Sequence, residues 1–152
     1  MDKDSIVIQC FDRCKYNLAY PDFFLTADKP ALRKLFKWMF LFYWRNEETI
    51  EFLERELPDL KDLVRDQNDR RILAAKRNLS DKENYYQAEY VEPKTAATPE
   101  EKRNIKEHNA MRMQRVKDAR SRLNRVEKQA QKDLERVKEI IAIYQEAKTK
   151  FN

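Results

Sequence analysis

Catalysis or metal binding in this chain would have to be assembled from one histidine, two cysteines and scattered carboxylates. His108 is the sole imidazole. A triad, a Glu-x-x-His di-iron motif or a His-Glu-x-x-His zinc site would each require sequence neighbours that it lacks. Cys10 and Cys14 lie four residues apart, so on a helix their thiols share a face at a spacing suited to packing. Zinc would need two further ligands, and the sole histidine, His108, has no Cys or other His near it in sequence. Glu47, Glu48, Glu51, Glu54 and Glu56 form the densest acidic cluster. However, Glu51 precedes Arg55 by four residues, the favourable order for a surface ion pair, and nothing in the cluster specifies acid–base work. Glycine is absent, which removes the P-loop, the dinucleotide fingerprint and every other phosphate cradle that relies on positive φ or close backbone approach. No catalytic residue, cofactor or metal is expected, and the chain reads as a non-enzyme.

The five residues Cys10-Phe11-Asp12-Arg13-Cys14 resemble one half of the twin Cys-x-x-x-Cys motif of the small mitochondrial import chaperones. The second half of that motif is missing here, so the resemblance implies no membership of the family. Two cysteines do not make a secreted disulfide framework. The start Met1-Asp2-Lys3-Asp4 is acidic and leads into a short apolar run, unlike a signal peptide or an arginine-rich transit peptide. These features together predict an intracellular protein of a reducing compartment: cytosol, nucleus, or an organelle entered without a cleavable presequence.

Whatever the chain does must be done by helices. Tight hairpins without glycine depend on Asn or Asp, which argues against sheet and for an all-α fold. Charged residues reach 39% and mean hydropathy is −0.94, yet aromatic residues make up 11%, so neither a disordered chain nor a large apolar core fits. The apolar residues are concentrated. Asp2 to Asn17 carries one stripe (Ile6, Val7, Cys10, Phe11 and Cys14, continued by Leu18), and Tyr20-Pro21-Asp22 is expected to end that helix, leaving Phe23 to Leu25 as a loop tucked on the core. Asp28 caps a second helix with Pro30 in its first turn. That helix contains the run from Leu35 to Trp44, apolar nearly all round but half the length needed to span a bilayer. Trp38, Phe40, Phe42 and Trp44 are therefore expected in the core, or in the core and in contact with another subunit. Asn46 is either a fresh cap or a polar turn within one helix. Leu60 to Leu79 suggests a third helix weakened at 66–69, and Ser80 with Glu83 has the spacing of a capping box that opens a further short turn. Residues 1–93 thus read as a compact bundle of about four short helices, and 94–98 as a loop.

The remaining third, 99–152, reads as one long coiled-coil-like helix. Thr98, Pro99 and Glu101 form its N-terminal cap. Val116, Leu123, Ala130, Val137, Tyr144 and Phe151 recur every seven residues, and Ala119, Val126, Asp133, Ile140 and Ala147 repeat at an offset of three. Only Asp133 breaks this a/d seam, which calls for a partner helix. Such a helix would be roughly 80 Å long at 1.5 Å per residue, against about 30 Å for a compact domain of this mass. It must project, fold back or lie along something else. The residues Val116, Leu123, Val126, Val137, Ile140 and Tyr144 are the expected interface, with a heteromeric protein partner favoured because the flanking charges do not specify self-pairing: in a parallel homodimer Arg122 would meet Glu127, but Arg115 would meet Arg120.

Charge singles out the same helix. Residues 1–99 hold 17 basic against 18 acidic side chains, whereas 100–152 hold 15 against 9. Between Lys102 and Lys132 eleven cations face only Glu107, Asp118 and Glu127. Arg112, Arg115, Arg120, Arg122 and Arg125 wind around the helix, as on a solvated surface or on a strip that docks acidic protein or nucleic acid. The expected function is a structural or accessory subunit bridging neighbours in a larger intracellular assembly. The second choice is a nucleic-acid-associated protein that uses 102–132 on phosphates, although no recognised nucleic-acid motif is present.

Overall fold

The computed structural model describes residues 3–151, with side chains from Ile6 onward. Asp2 and Asn152, the expected outer limits of the first and last helices, lie outside the described residues. The fold is all-α, with no strand among the described residues: α1 (Lys3–Tyr16), α2 (Tyr20–Thr26), α3 (Lys29–Leu41), α4 (Tyr43–Glu56), α5 (Leu60–Glu89) and α6 (Pro99–Phe151), with single 3₁₀ turns at Leu57–Asp59 and Pro93–Thr95. The chain forms two compact units, and their limits differ from the expected division at 94–98. One contains 1–66 and 131–152, the other 67–130. A helix-end loop marks the boundary legible in sequence, whereas compactness follows which helices share a core, and α5 and α6 each contribute to both units.

In the first unit, Phe11, Phe24, Leu32, Leu35, Phe36, Met39, Leu53 and Leu60 of α1 to α5 are almost fully buried together with Val137, Ile140 and Tyr144 of α6. The contacts of α6 with the α2–α3 junction and with α3 ascend along both helices. Arg136 donates to the Ala27 carbonyl, Lys29 pairs with Glu139 at 3.4 Å, the Phe36 ring meets Tyr144 at 5.3 Å, and the Lys37 ammonium lies over Phe151. The two helices therefore run in the same sense. A polar tie joins α1 to α4: Thr49 donates to Asp12 at 3.1 Å and accepts from the buried Lys15.

Several local expectations change. Pro21 does not end a helix but begins α2, because a missing N–H costs nothing in the first turn. The chain reverses instead at Leu18, whose φ of 58° lies in the left-handed region. The Ala19 N–H bonds to the Cys14 carbonyl at 2.8 Å and the Leu18 N–H to the Lys15 carbonyl at 3.3 Å, the Schellman closure normally built on glycine. In a glycine-free chain that position falls to a leucine, at a cost of roughly 1–2 kcal/mol. Leu18 is 76% exposed, so its side chain gives little back. Leu18→Gly is expected to raise stability by up to about 1 kcal/mol after the added freedom of the unfolded chain is subtracted. Thermal unfolding should then shift upward by roughly 2–4 °C, and a lower melting temperature would refute the account.

Asn46 neither caps nor interrupts. It is buried within α4, its amide donating to the Phe42 carbonyl at 3.0 Å, and the break falls at Phe42 (φ −115°, ψ 51°). The bundle does not contain a separate turn at Ser80, since α5 runs unbroken through 66–69 and through Ser80 to Glu89. Glu83, expected in a capping box, instead pairs with Arg120 at 3.3 Å. Asp28 does cap α3, accepting from the Ala31 N–H at 2.8 Å. At α6 Thr98 accepts from the Glu101 N–H at 3.1 Å, while the Glu101 carboxylate reaches one residue further back, to the Ala97 N–H at 3.0 Å.

The second unit is an antiparallel helical hairpin. Arg112 donates to the Glu89 carbonyl at 2.8 Å, and Asn109 both donates to the Val91 carbonyl and accepts from its N–H. With the Arg120–Glu83 pair these contacts fix a register that sets Val116 level with Tyr86, Leu123 with Leu79, and Val126 with Ala75. Val116, Ala119 and Ala75 are buried and Leu123, Val126 and Leu79 half-buried, so this stretch of the seam meets a helix of its own chain.

Candidate functional site

The aromatic run of α3 is divided by helix geometry. Leu32, Leu35, Phe36, Met39 and Phe40 occupy the inward face at three- and four-residue spacings. Because α3 stops at Leu41 and α4 starts at Tyr43, the next four residues turn a corner and cannot all face one core. Leu41, Phe42, Tyr43 and Trp44 are exposed by 52%, 40%, 45% and 75%. Trp38 is half-buried, with its ring 5.3 Å from that of Phe42. The Arg45 guanidinium lies 6.0 Å from the Trp38 ring and 5.5 Å from that of Trp44, which holds the corner together while leaving its outer edges open. Of the aromatic residues expected as anchors, the structure thus presents Trp44 and Phe42, half-presents Trp38 and buries Phe40.

Beside the corner lies an open groove of about 570 Å³, lined by Phe40, Tyr43, Ile50, Glu51, Glu54 and Arg55 of α3 and α4 and by Lys148 of α6. Glu54 accepts from the Tyr144 hydroxyl at 2.6 Å and pairs with Lys148 at 2.7 Å. Partial burial opposes ionisation of Glu54, but the hydrogen bonds from Lys148 and Tyr144 and the Lys148 charge outweigh it and hold the carboxyl below its usual range. Burial, and next the bond to Glu54, push the Tyr144 phenol well above its ordinary value. The Tyr20 phenol is pushed up to about 12 by burial and by Glu56, whose carboxylate it meets at 3.4 Å. Both tyrosines therefore remain neutral donors. The Tyr144–Glu54–Lys148 arrangement clamps α4 to α6.

Val137, Ile140 and Tyr144, expected to meet an external helix, are not available to one: their exposures are 0%, 0% and 1%, and they complete the core of the first unit. A seam of alternating three- and four-residue spacing is the same whether the covering helices come from another chain or from earlier in this one. Val116, Leu123 and Val126 face α5 in the hairpin. Among the basic residues, Arg112 and Arg120 are engaged in tying the hairpin, Arg112 also lying 5.9 Å from the Tyr85 ring, while Arg115, Arg122 and Arg125 are exposed. Sequence reasoning missed Arg45 and Lys148, and it named Glu54 only as one of an acidic cluster, without its partners Tyr144 and Lys148. The one available signal was Tyr144, a hydroxyl in an otherwise apolar seam.

Cys10 is exposed and Cys14 half-buried, and both are free thiols. His108 lines a shallow hollow of the hairpin with Val91, Asn109 and Arg112. Among the described residues no group of three or more His, Cys, Asp or Glu side chains is placed to hold a metal ion, and no helix is long and apolar enough to cross a membrane. Comparison with known proteins finds no matching family model, no matching curated protein and no matching solved structure.

Proposed function

We propose that this chain is a non-enzymatic accessory subunit that docks onto a protein partner through the corner between α3 and α4. The observation that carries the reading is the exposure of four consecutive large apolar side chains, Leu41 to Trp44, on an otherwise highly charged protein. Tryptophan and tyrosine presented at a rim with arginine are the side chains that dominate binding energy at protein interfaces. The free thiols of α1 fit an intracellular, reducing setting. The long helix serves to build both units, so the bridging role rests on the corner and on the hairpin surface instead of on a bare seam.

Affinity purification of the intact chain from its native source tests this. The partner should remain bound when salt rises from about 50 to about 200 mM, a step that costs a complex with six to ten phosphate contacts 10³-fold or more. Trp44→Ala should weaken binding by about thirty-fold, the value of one interface hot spot. Because Trp44 is 75% exposed, the variant should keep its circular dichroism spectrum and melting temperature. Retention of the partner by Trp44→Ala would refute the reading.

A second reading has its own support. The hairpin unit, 67–130, holds 16 basic against 10 acidic residues, whereas the rest of the chain holds 16 against 17. The whole positive excess therefore sits on one helical pair, with Arg115, Arg122 and Arg125 exposed. Such a surface suits phosphates. Steep, log-linear loss of binding over the same salt step, with Trp44→Ala without effect, would favour it.

A further inference from the structure

The first unit has a second open surface, on the side of α3 that carries Arg33, Lys34 and Lys37. This groove of about 220 Å³ runs between that face and the end of α6. Its floor is apolar: Ile143 and Ala147 are 6% and 5% exposed, and the Phe151 ring is half-buried. Its rims are cationic. Lys37 and Lys150 place their ammonium groups 5.4 and 5.5 Å from the Phe151 ring, and Arg33 and Lys34 extend the charge along α3. Glu146 is the single carboxylate of the lining. Three other lysines of this unit have carboxylate partners: Lys15–Asp12, Lys29–Glu139 and Lys148–Glu54. The four cations of the groove have no ion pair with a carboxylate among the described residues.

We propose that this groove is a docking site for an acidic amphipathic helix of a protein partner. Charge complementarity selects the flanks of the ligand, since four cations against one carboxylate require an occupant rich in Asp and Glu. The floor selects its face. A recess of this volume falls below the roughly 300–1,000 Å³ of small-molecule sites, so it accepts one or two projecting apolar side chains. A helix laid along the groove presents such side chains every three to four residues with its carboxylates on either side. A flat bilayer surface cannot reach a floor recessed between charged rims, and a phosphate backbone would use the rims and leave the floor empty.

The inference is independent of the α3–α4 corner, and the test keeps the two apart. The probe is a synthetic, fluorescein-labelled helix with leucine on one face and glutamate on both flanks, titrated with the full-length chain by anisotropy. It should bind, and Lys34→Glu/Lys37→Glu should weaken binding by about tenfold or more through like-charge contact. Both lysines are exposed, so circular dichroism should be unchanged; Lys150→Glu gives a second variant on the other rim. Trp44→Ala and the hairpin variant Arg122→Glu/Arg125→Glu should bind as the parent does. A probe with lysine in place of glutamate should fail, and one with serine in place of leucine should bind markedly less well. Absence of probe binding, equal binding by the rim variants, or equal binding of the serine probe would each overturn the proposal. So would rim-dependent binding of phosphatidylserine vesicles or duplex RNA in place of the acidic helix.

Discussion

Phe36→Ala is expected to destabilise the first unit by about 3–5 kcal/mol, the usual range for emptying a large aromatic site. Phe36 is fully buried, its ring 6.1 Å from Phe24 of α2 and 5.3 Å, edge-on, from Tyr144 of α6. It is the side chain at which three helices meet, and rings held on several sides leave the site little room to collapse. Against a total stability of about 5–15 kcal/mol for a typical domain, the loss approaches unfolding. Tyr144→Phe provides the calibration. It keeps the ring contacts and removes only the 2.6 Å bond to Glu54, a loss of roughly 1.5–3 kcal/mol for a hydrogen bond to a charged group, toward the low end because Glu54 remains 40% exposed. Urea unfolding followed by circular dichroism should rank Phe36→Ala well below Tyr144→Phe. If the order is reversed, the clamp rather than the aromatic core holds α6 in place.

The two substitutions also show what a sequence can and cannot display. That Phe36 is inward follows from helical periodicity alone, as does the cap at Asp28 and the start of α6 at Thr98, because these signals involve residues within one turn of each other. The seam from Val116 to Phe151 was equally legible, and every one of its positions is buried or half-buried. What covers the seam was not. Tyr144 meets Glu54 across ninety positions of sequence, and Arg136 meets Ala27 across more than a hundred, so local pattern carries no trace of either pairing. The exposed corner was hidden for a related reason. Leu41 to Trp44 reads as core because it is apolar, and only the position of the bend at Phe42 turns it outward. The bend itself lacks glycine and proline, so the usual punctuation was absent. At Leu18 the same lack of glycine concealed a turn in the left-handed region. The cations around Phe151 come from two helices far apart in the chain, and their alignment exists only in the fold.

Excised from the rest of the chain, residues 98–152 should lose more than half of the helicity that α6 has in the protein. The local interactions of this segment are weak or adverse. Lys102/Lys106, Lys128/Lys132, Lys132/Arg136 and Glu135/Glu139 are like-charge pairs four residues apart, each unfavourable by roughly 0.2–0.5 kcal/mol, while only Asp118/Arg122 and Glu146/Lys150 have opposite charges in the favourable order. Branched residues add to the cost, with Val116, Val126, Val137, Ile140, Ile141 and Ile143 all losing side-chain freedom in a helix. In the folded protein the burial of Val116 and Ala119 and of Val137, Ile140 and Tyr144 outweighs these terms. The measurement is the circular dichroism of the peptide at micromolar concentration, repeated after equimolar addition of residues 1–97. Helicity should rise on mixing beyond the sum of the separate spectra, because the covering helices are supplied by that fragment. A peptide that is fully helical and monomeric at every concentration would mean that local propensity, and not burial of the seam, makes α6 a helix.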